Sequence, residues 1–115
     1  MKNITINIVN TVGDSFCVEA DDGQKVYELI KKALADNRKV NLSFLNVEML
    51  TTAFLNTAVG QLYRDFSEEM IKDSLSVENL SDSGAVSLKR VVDTAKLYYK
   101  DPEAMQRSIN DILGE

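Results

Sequence analysis

Between Lys39 and Tyr63 the spacing of the apolar residues changes once, and that change narrows the folds open to the chain. Val40, Leu42 and Phe44 alternate with Asn41 and Ser43, the period of a strand with one face buried. After a connection over Leu45 to Leu50, the residues Phe54, Leu55, Ala58, Val59, Leu62 and Tyr63 recur at helical spacing. Thr51 and Thr52 stand at the junction, where a hydroxyl can accept a hydrogen bond from an orphan backbone N–H. A strand that runs into a helix through a short turn belongs to folds that layer helices on a sheet. Such folds place ligands and regulatory groups beyond the carboxyl ends of their strands. The turn is therefore the first candidate site.

The flanking segments extend the pattern. Ile4, Ile6 and Ile8 predict a strand, Gly13 a turn within Asn10 to Asp14, and Phe16, Val18 and Ala20 a second strand that closes an N-terminal hairpin, with Cys17 on the opposite face. Asp21 or Asp22 then caps a helix, with Gln24 in capping-box register. Val26, Leu29, Ile30, Ala33 and Leu34 form its buried stripe, and Asn37 ends it in a left-handed conformation. Gly60 costs about 1 kcal/mol against alanine in a helix interior, which implies a close approach to the sheet or to a neighbouring chain. Ser67 caps a short helix, Leu75 to Leu80 contain a last strand, and Ser81, Asp82 and Ser83 are alternative caps for a long helix bearing Val86, Leu88, Val91, Val92, Ala95, Tyr98 and Tyr99. Asp101 and Pro102 start a terminal helix whose apolar residues Met105, Ile109, Ile112 and Leu113 need a surface to pack on. That surface is the chain's own domain or, alternatively, a second copy in a homodimer. The expected fold is α/β, on the border of α+β: one domain over residues 1–115 with a small mixed sheet of about four strands packed by helices.

Composition removes several classes of function. A net charge of −5 and a pI near 4.7 supply no basic field for nucleic acid or an anionic membrane. Lys31, Lys32, Arg38 and Lys39 lack interleaved aromatic residues and are read as a solvated face. The N-terminal stretch alternates apolar and polar residues, unlike a signal peptide, and no run is long enough for a membrane span, so a cytoplasmic protein is expected. With no histidine, one isolated cysteine and no glycine-rich phosphate loop, the usual nucleophile–base pairs and metal clusters cannot be assembled. Neither catalysis nor a metal or other cofactor is expected. The Cys17 thiol has nothing nearby to stabilise its thiolate and is expected to be inert.

The run VNLSFLNVEMLTTAFLNTAVGQLY, followed by FSEEMIKDSLSVENLS and SLKRVVDTAKLYY, resembles the STAS-like family of unknown function, DUF4325. The likeness covers roughly Asp22 to Tyr99 and is strongest over Phe44 to Tyr63. It implies a STAS-type fold and an association with bacteria and their mobile elements, and it implies no established activity. STAS relatives include anti-sigma-factor antagonists that bind a GHKL-type kinase and carry an Asp-Ser-Ser/Thr-Gly pattern at this turn, its first hydroxyl being the phosphoacceptor. By position Thr52 stands at the acceptor, Thr51 replaces the aspartate and Phe54 the glycine. The departure leaves two roles open for the threonines, helix cap and regulatory acceptor.

Two functions are expected on this footing. The first is a non-catalytic regulatory module that docks a protein, with a GHKL-type ATPase as the partner the resemblance implies. It would use Leu50, Thr51, Thr52, Ala53, Phe54 and Asn56, with Thr52 as a phospho-switch. The second is a small-ligand or nucleotide binder that seats an anion on the N–H groups of Thr52 to Phe54.

Overall fold

A computed structural model describes residues 3–100; the expected terminal helix, and the dimer contact placed on it, lie outside the described residues. The element order is β1 (Asn3–Asn7), α1 (Ile8–Val12), β2 (Phe16–Cys17), α2 (Ala20–Ala35), β3 (Lys39–Ser43) and β4 (Met49–Leu50). A long bent helix follows, made of α3 (Thr52–Leu55), a π-helical turn (Asn56–Gly60) and α4 (Leu62–Asp65), and then come α5 (Glu68–Ser74), β5 (Leu75–Glu78) and α6 (Asp82–Lys100). The fold is α/β. Strands β1, β3 and β5 form a three-stranded sheet in that order, and β2 pairs with β4 in a separate ribbon.

Every pairing among the described residues is parallel, which corrects the expected mixed sheet and the N-terminal hairpin. The reason is local. Asn7, the last residue of β1, also caps α1, its Oδ1 accepting from the Asn10 N–H at 2.9 Å and its carbonyl from the Thr11 hydroxyl at 2.9 Å. Gly13, at φ 86°, ends that helical turn in the left-handed region, and the strand that follows pairs with β4 and not with β1. Strand β1 pairs with β3 instead, Ile6 opposite Leu42.

The shortness of β2 also reverses its expected faces. Cys17 is buried and Phe16 exposed, because α2 begins at Ala20 and leaves no further strand residue to hold Phe16 inward. Glu19, rather than Asp21 or Asp22, occupies the cap position of α2 and makes no side-chain cap bond; the two aspartates lie in the first turn, where they complement the helix dipole. Leu29, Val86 and Tyr98, expected inside, are exposed.

The core takes Val40, Leu42 and Phe44 from β3 and the segment after it, Val26, Ile30 and Leu34 from α2, and Phe54, Leu55, Ala58, Val59 and Leu62 from the bent helix. Val91 and Ala95 bring α6 against the same helix. Asn37 ends α2 at φ 60°, and Ser67 caps α5 by accepting from the Met70 N–H at 3.1 Å.

Candidate functional site

The turn before α3 is tied down by one residue. Thr51 is extended (φ −116°, ψ 159°) and its Oγ1 does two jobs: it accepts from the Phe54 N–H at 3.2 Å and donates to the Val18 carbonyl at 2.7 Å. Its own N–H reaches the Cys17 carbonyl at 3.2 Å. Thr51 is therefore a cap that also fastens α3 to the end of β2, and its hydroxyl is committed. Thr52, the first helical residue, is exposed, as are Ala53 and Asn56, while Leu50 is half-buried. Phe54 is fully buried, which corrects its placement among the contact residues. It is the first inward position of the helical stripe, so the same periodicity that reveals the helix takes Phe54 off the surface.

Two features of the site lay outside the sequence reading. The first is Gly23 in the first turn of α2. A Cβ there would stand 2.5 Å from the Phe54 carbonyl oxygen, so glycine lets α2 pass directly over α3. Gly60, the glycine expected to mark a close approach, has its nearest such neighbour at 3.6 Å, on Val91 of α6, an ordinary contact. The second is the π turn. Gln61 N–H bonds the Asn56 carbonyl at 3.1 Å, and the Gln61 side chain donates to the Thr57 carbonyl at 2.9 Å and to Gln24 Oε1 at 3.0 Å. A widened turn leaves a carbonyl without its usual partner, and here the glutamine side chain satisfies it while linking the helix to α2.

Around the turn lies an apolar patch. Phe16 and Met49 face each other in register across the β2–β4 ribbon, 51% and 54% exposed, and Leu45 of the preceding connection is 48% exposed. Beside Met49 and Leu50 a cleft of about 290 Å³ runs to the start of α6, lined also by Phe44, Glu48, Asn79, Ser81 and Ser83. Ser81 caps α6, its Oγ accepting from the Gly84 N–H at 3.1 Å. A roomier groove of about 610 Å³ lies elsewhere, between α5, β5 and α6, and none of the expected site residues lines it.

The electrostatics of the turn are negative. Asp14 accepts from the Phe16 N–H at 3.1 Å, and Glu48 accepts from the Ser15 hydroxyl at 2.6 Å. Burial, followed by the charges of Asp22 and Asp14, pushes the Cys17 thiol up to about 11, so it stays protonated at neutral pH, its Sγ 3.9 Å from the Asp14 carbonyl oxygen. Of the three N–H groups expected to seat an anion, that of Phe54 is taken by Thr51. Among the described residues no group of His, Cys, Asp and Glu is placed to hold a metal ion, and no helix is long and apolar enough to cross a membrane.

A short strand leading into a capped helix, with helices packed about small parallel sheets, makes this an α/β domain. The chain belongs to the family described as a STAS-like domain of unknown function (DUF4325), whose model matches residues 22–85, more than half of its length. The match takes in the turn and ends inside α6, short of Tyr99. No curated protein and no solved structure matches the chain.

Proposed function

We propose that this domain is a non-catalytic, cytoplasmic regulatory module that docks another protein through the turn at Leu50 to Ala53 together with the exposed Phe16–Met49 pair. One observation carries the reading: two large apolar side chains stand in register, each more than half exposed, directly beside the capped turn. Apolar area held out of the core on a two-stranded ribbon is unfavourable for a free monomer and useful at an interface. The family's description names no reaction, and the site offers no activated nucleophile, its one thiol being buried and protonated.

Thr52 is the switch position in this reading. Its side chain is exposed, unlike that of Thr51, which a modifying enzyme would have to pull from two hydrogen bonds. A phosphate on Thr52 would add about −1.5 to −2 charges at a helix N-terminus that tolerates them, so the fold stands. A docked partner would have to bury that charge against Leu50 and Ala53, at a desolvation cost that releases it.

The test uses wild-type protein, Met49→Asp and Thr52→Glu as baits in a host-cell lysate, each first checked by thermal melting. Both variants are expected to melt within about 3 °C of wild type, as surface changes do, and to lose the captured protein. Equal capture of the same protein by all three baits overturns the reading.

A further inference from the structure

The charges of the described residues are segregated. No Lys or Arg occurs in residues 3–24, 40–63 or 73–88, the stretches that build β1, β2, the connection to β4, the turn and the start of α6. Their acids collect around the apolar patch. Asp14 accepts from the Phe16 N–H and Glu48 from the neighbouring Ser15 hydroxyl, Glu19, Asp21 and Asp22 open α2 where it crosses α3, and Asp82 lies in the first turn of α6, whose residues Ser83 and Gly84 line the cleft with Glu48. The nearest base bonded to this rim is Lys25, 3.3 Å from Asp22 and one turn further along α2. The patch is thus an apolar centre, Phe16 and Met49 with half-buried Leu50, inside an acidic border.

We infer that the partner docks with a basic amphipathic segment, an apolar stripe flanked by Lys or Arg. This inference rests on the docking role proposed above and names the partner's chemistry. Charge complementarity selects it: an acidic or neutral apolar segment would bring like charge, or none, against carboxylates that then lose water without compensation. The border also steers a basic segment over about 8 Å at physiological salt, so its contribution falls as salt rises. Thr52 is exposed at the start of α3, two residues past Leu50 and next to Ala53, so a phosphate there meets the partner's stripe and not its basic flanks.

The probes are three synthetic peptides of equal length: an amphipathic Leu/Lys helix, its Leu/Glu counterpart and oligolysine. Binding is measured by fluorescence anisotropy, and the contact surface is mapped by amide shifts in the full chain. The Leu/Lys peptide is expected to bind at least tenfold more tightly than the other two, to weaken roughly tenfold between low and high salt, and to shift residues around Phe16, Met49 and Thr52. The double variant Asp14→Asn with Glu48→Gln keeps the acceptor oxygens and removes the charges, and is expected to weaken binding roughly two- to tenfold. Neutralising Glu68 and Glu69, on α5 at the other groove, should leave binding unchanged. Equal binding by oligolysine or by the Leu/Glu peptide, or shifts centred on α5, overturns the inference. If Met49→Asp still abolishes capture from lysate while the Leu/Lys peptide shows no preference, the docking role stands and the basic partner falls.

Discussion

Thr51 and Thr52 are adjacent, chemically identical and unlike in function, because one residue of helical phase separates a hydroxyl with two partners from an exposed one. Removing the Thr51 hydroxyl deprives the Phe54 N–H and the Val18 carbonyl together. Thr51→Ala is expected to cost about 1–2 kcal/mol, seen in the urea midpoint, whereas Thr52→Ala should fall within about 0.5 kcal/mol of wild type. Equal losses from the two would show that the cap is not where the structure puts it. Sequence placed a cap at this junction, and it could not choose between the threonines, since both satisfy the same rule. The choice lies with β2, which brings the Val18 carbonyl within reach of only one of them.

The pairing of elements turns on small residues at crossings. Gly23 and Gly60 lie on neighbouring helical elements, and the same substitution should act on them in opposite directions. Gly23→Ala drives a methyl group onto the Phe54 carbonyl, which is backbone and cannot swing aside, so a loss of about 1–3 kcal/mol is expected, with disturbance of the turn. Gly60→Ala meets side-chain atoms at 3.6 Å or beyond and is expected to be neutral or stabilising by up to about 1 kcal/mol. Thermal melts of the two variants decide it, and a stabilising Gly23→Ala would refute the crossing. Periodicity identified β3, the bent helix, α5 and α6, because each carries several turns or alternations of apolar residues. It found β2 but gave it the wrong length, faces and partner, and it missed β4; each has two residues, where no period exists to be read and the strand is made by its neighbour.

Across the molecule the buried Tyr27 joins α2 to the exposed Arg64 and Asp65 of α4. Tyr27, 2% exposed, donates its hydroxyl to Asp65, and Arg64 donates to the Tyr27 oxygen at 3.0 Å. Burial alone would raise the Asp65 carboxyl, but hydrogen bonds from Tyr27 and Arg64 outweigh it and hold the group below its ordinary value. A carboxyl with a depressed folded value stabilises the fold above its unfolded value, near 3.9, and that stabilisation disappears as pH falls through the lower folded value. Tyr27→Phe is therefore expected to lower stability by about 1–2 kcal/mol at pH 7, and the gap to wild type should narrow below about pH 4. A gap independent of pH between 7 and 3 would assign the loss to packing alone. The helical stripe assigned Val26 and Ile30 to the core but not Tyr27, whose hydroxyl finds its partner in a carboxylate 38 residues away in sequence.

By itself the sequence determined the α/β class, the strand-to-helix junction at Lys39 to Tyr63, the left-handed ends at Gly13 and Asn37 and the family. All of these depend on local spacing, backbone freedom or short motifs, which neighbours along the chain specify. Only the tertiary structure decided that β1 pairs with β3, that Phe54 is inside and Phe16 outside, and that Thr51 is the cap. It also gathered acids from three separate stretches around one apolar patch. Each of those outcomes depends on which distant carbonyl, methyl or carboxylate arrives at a given place, and apolar spacing holds no record of distance through space.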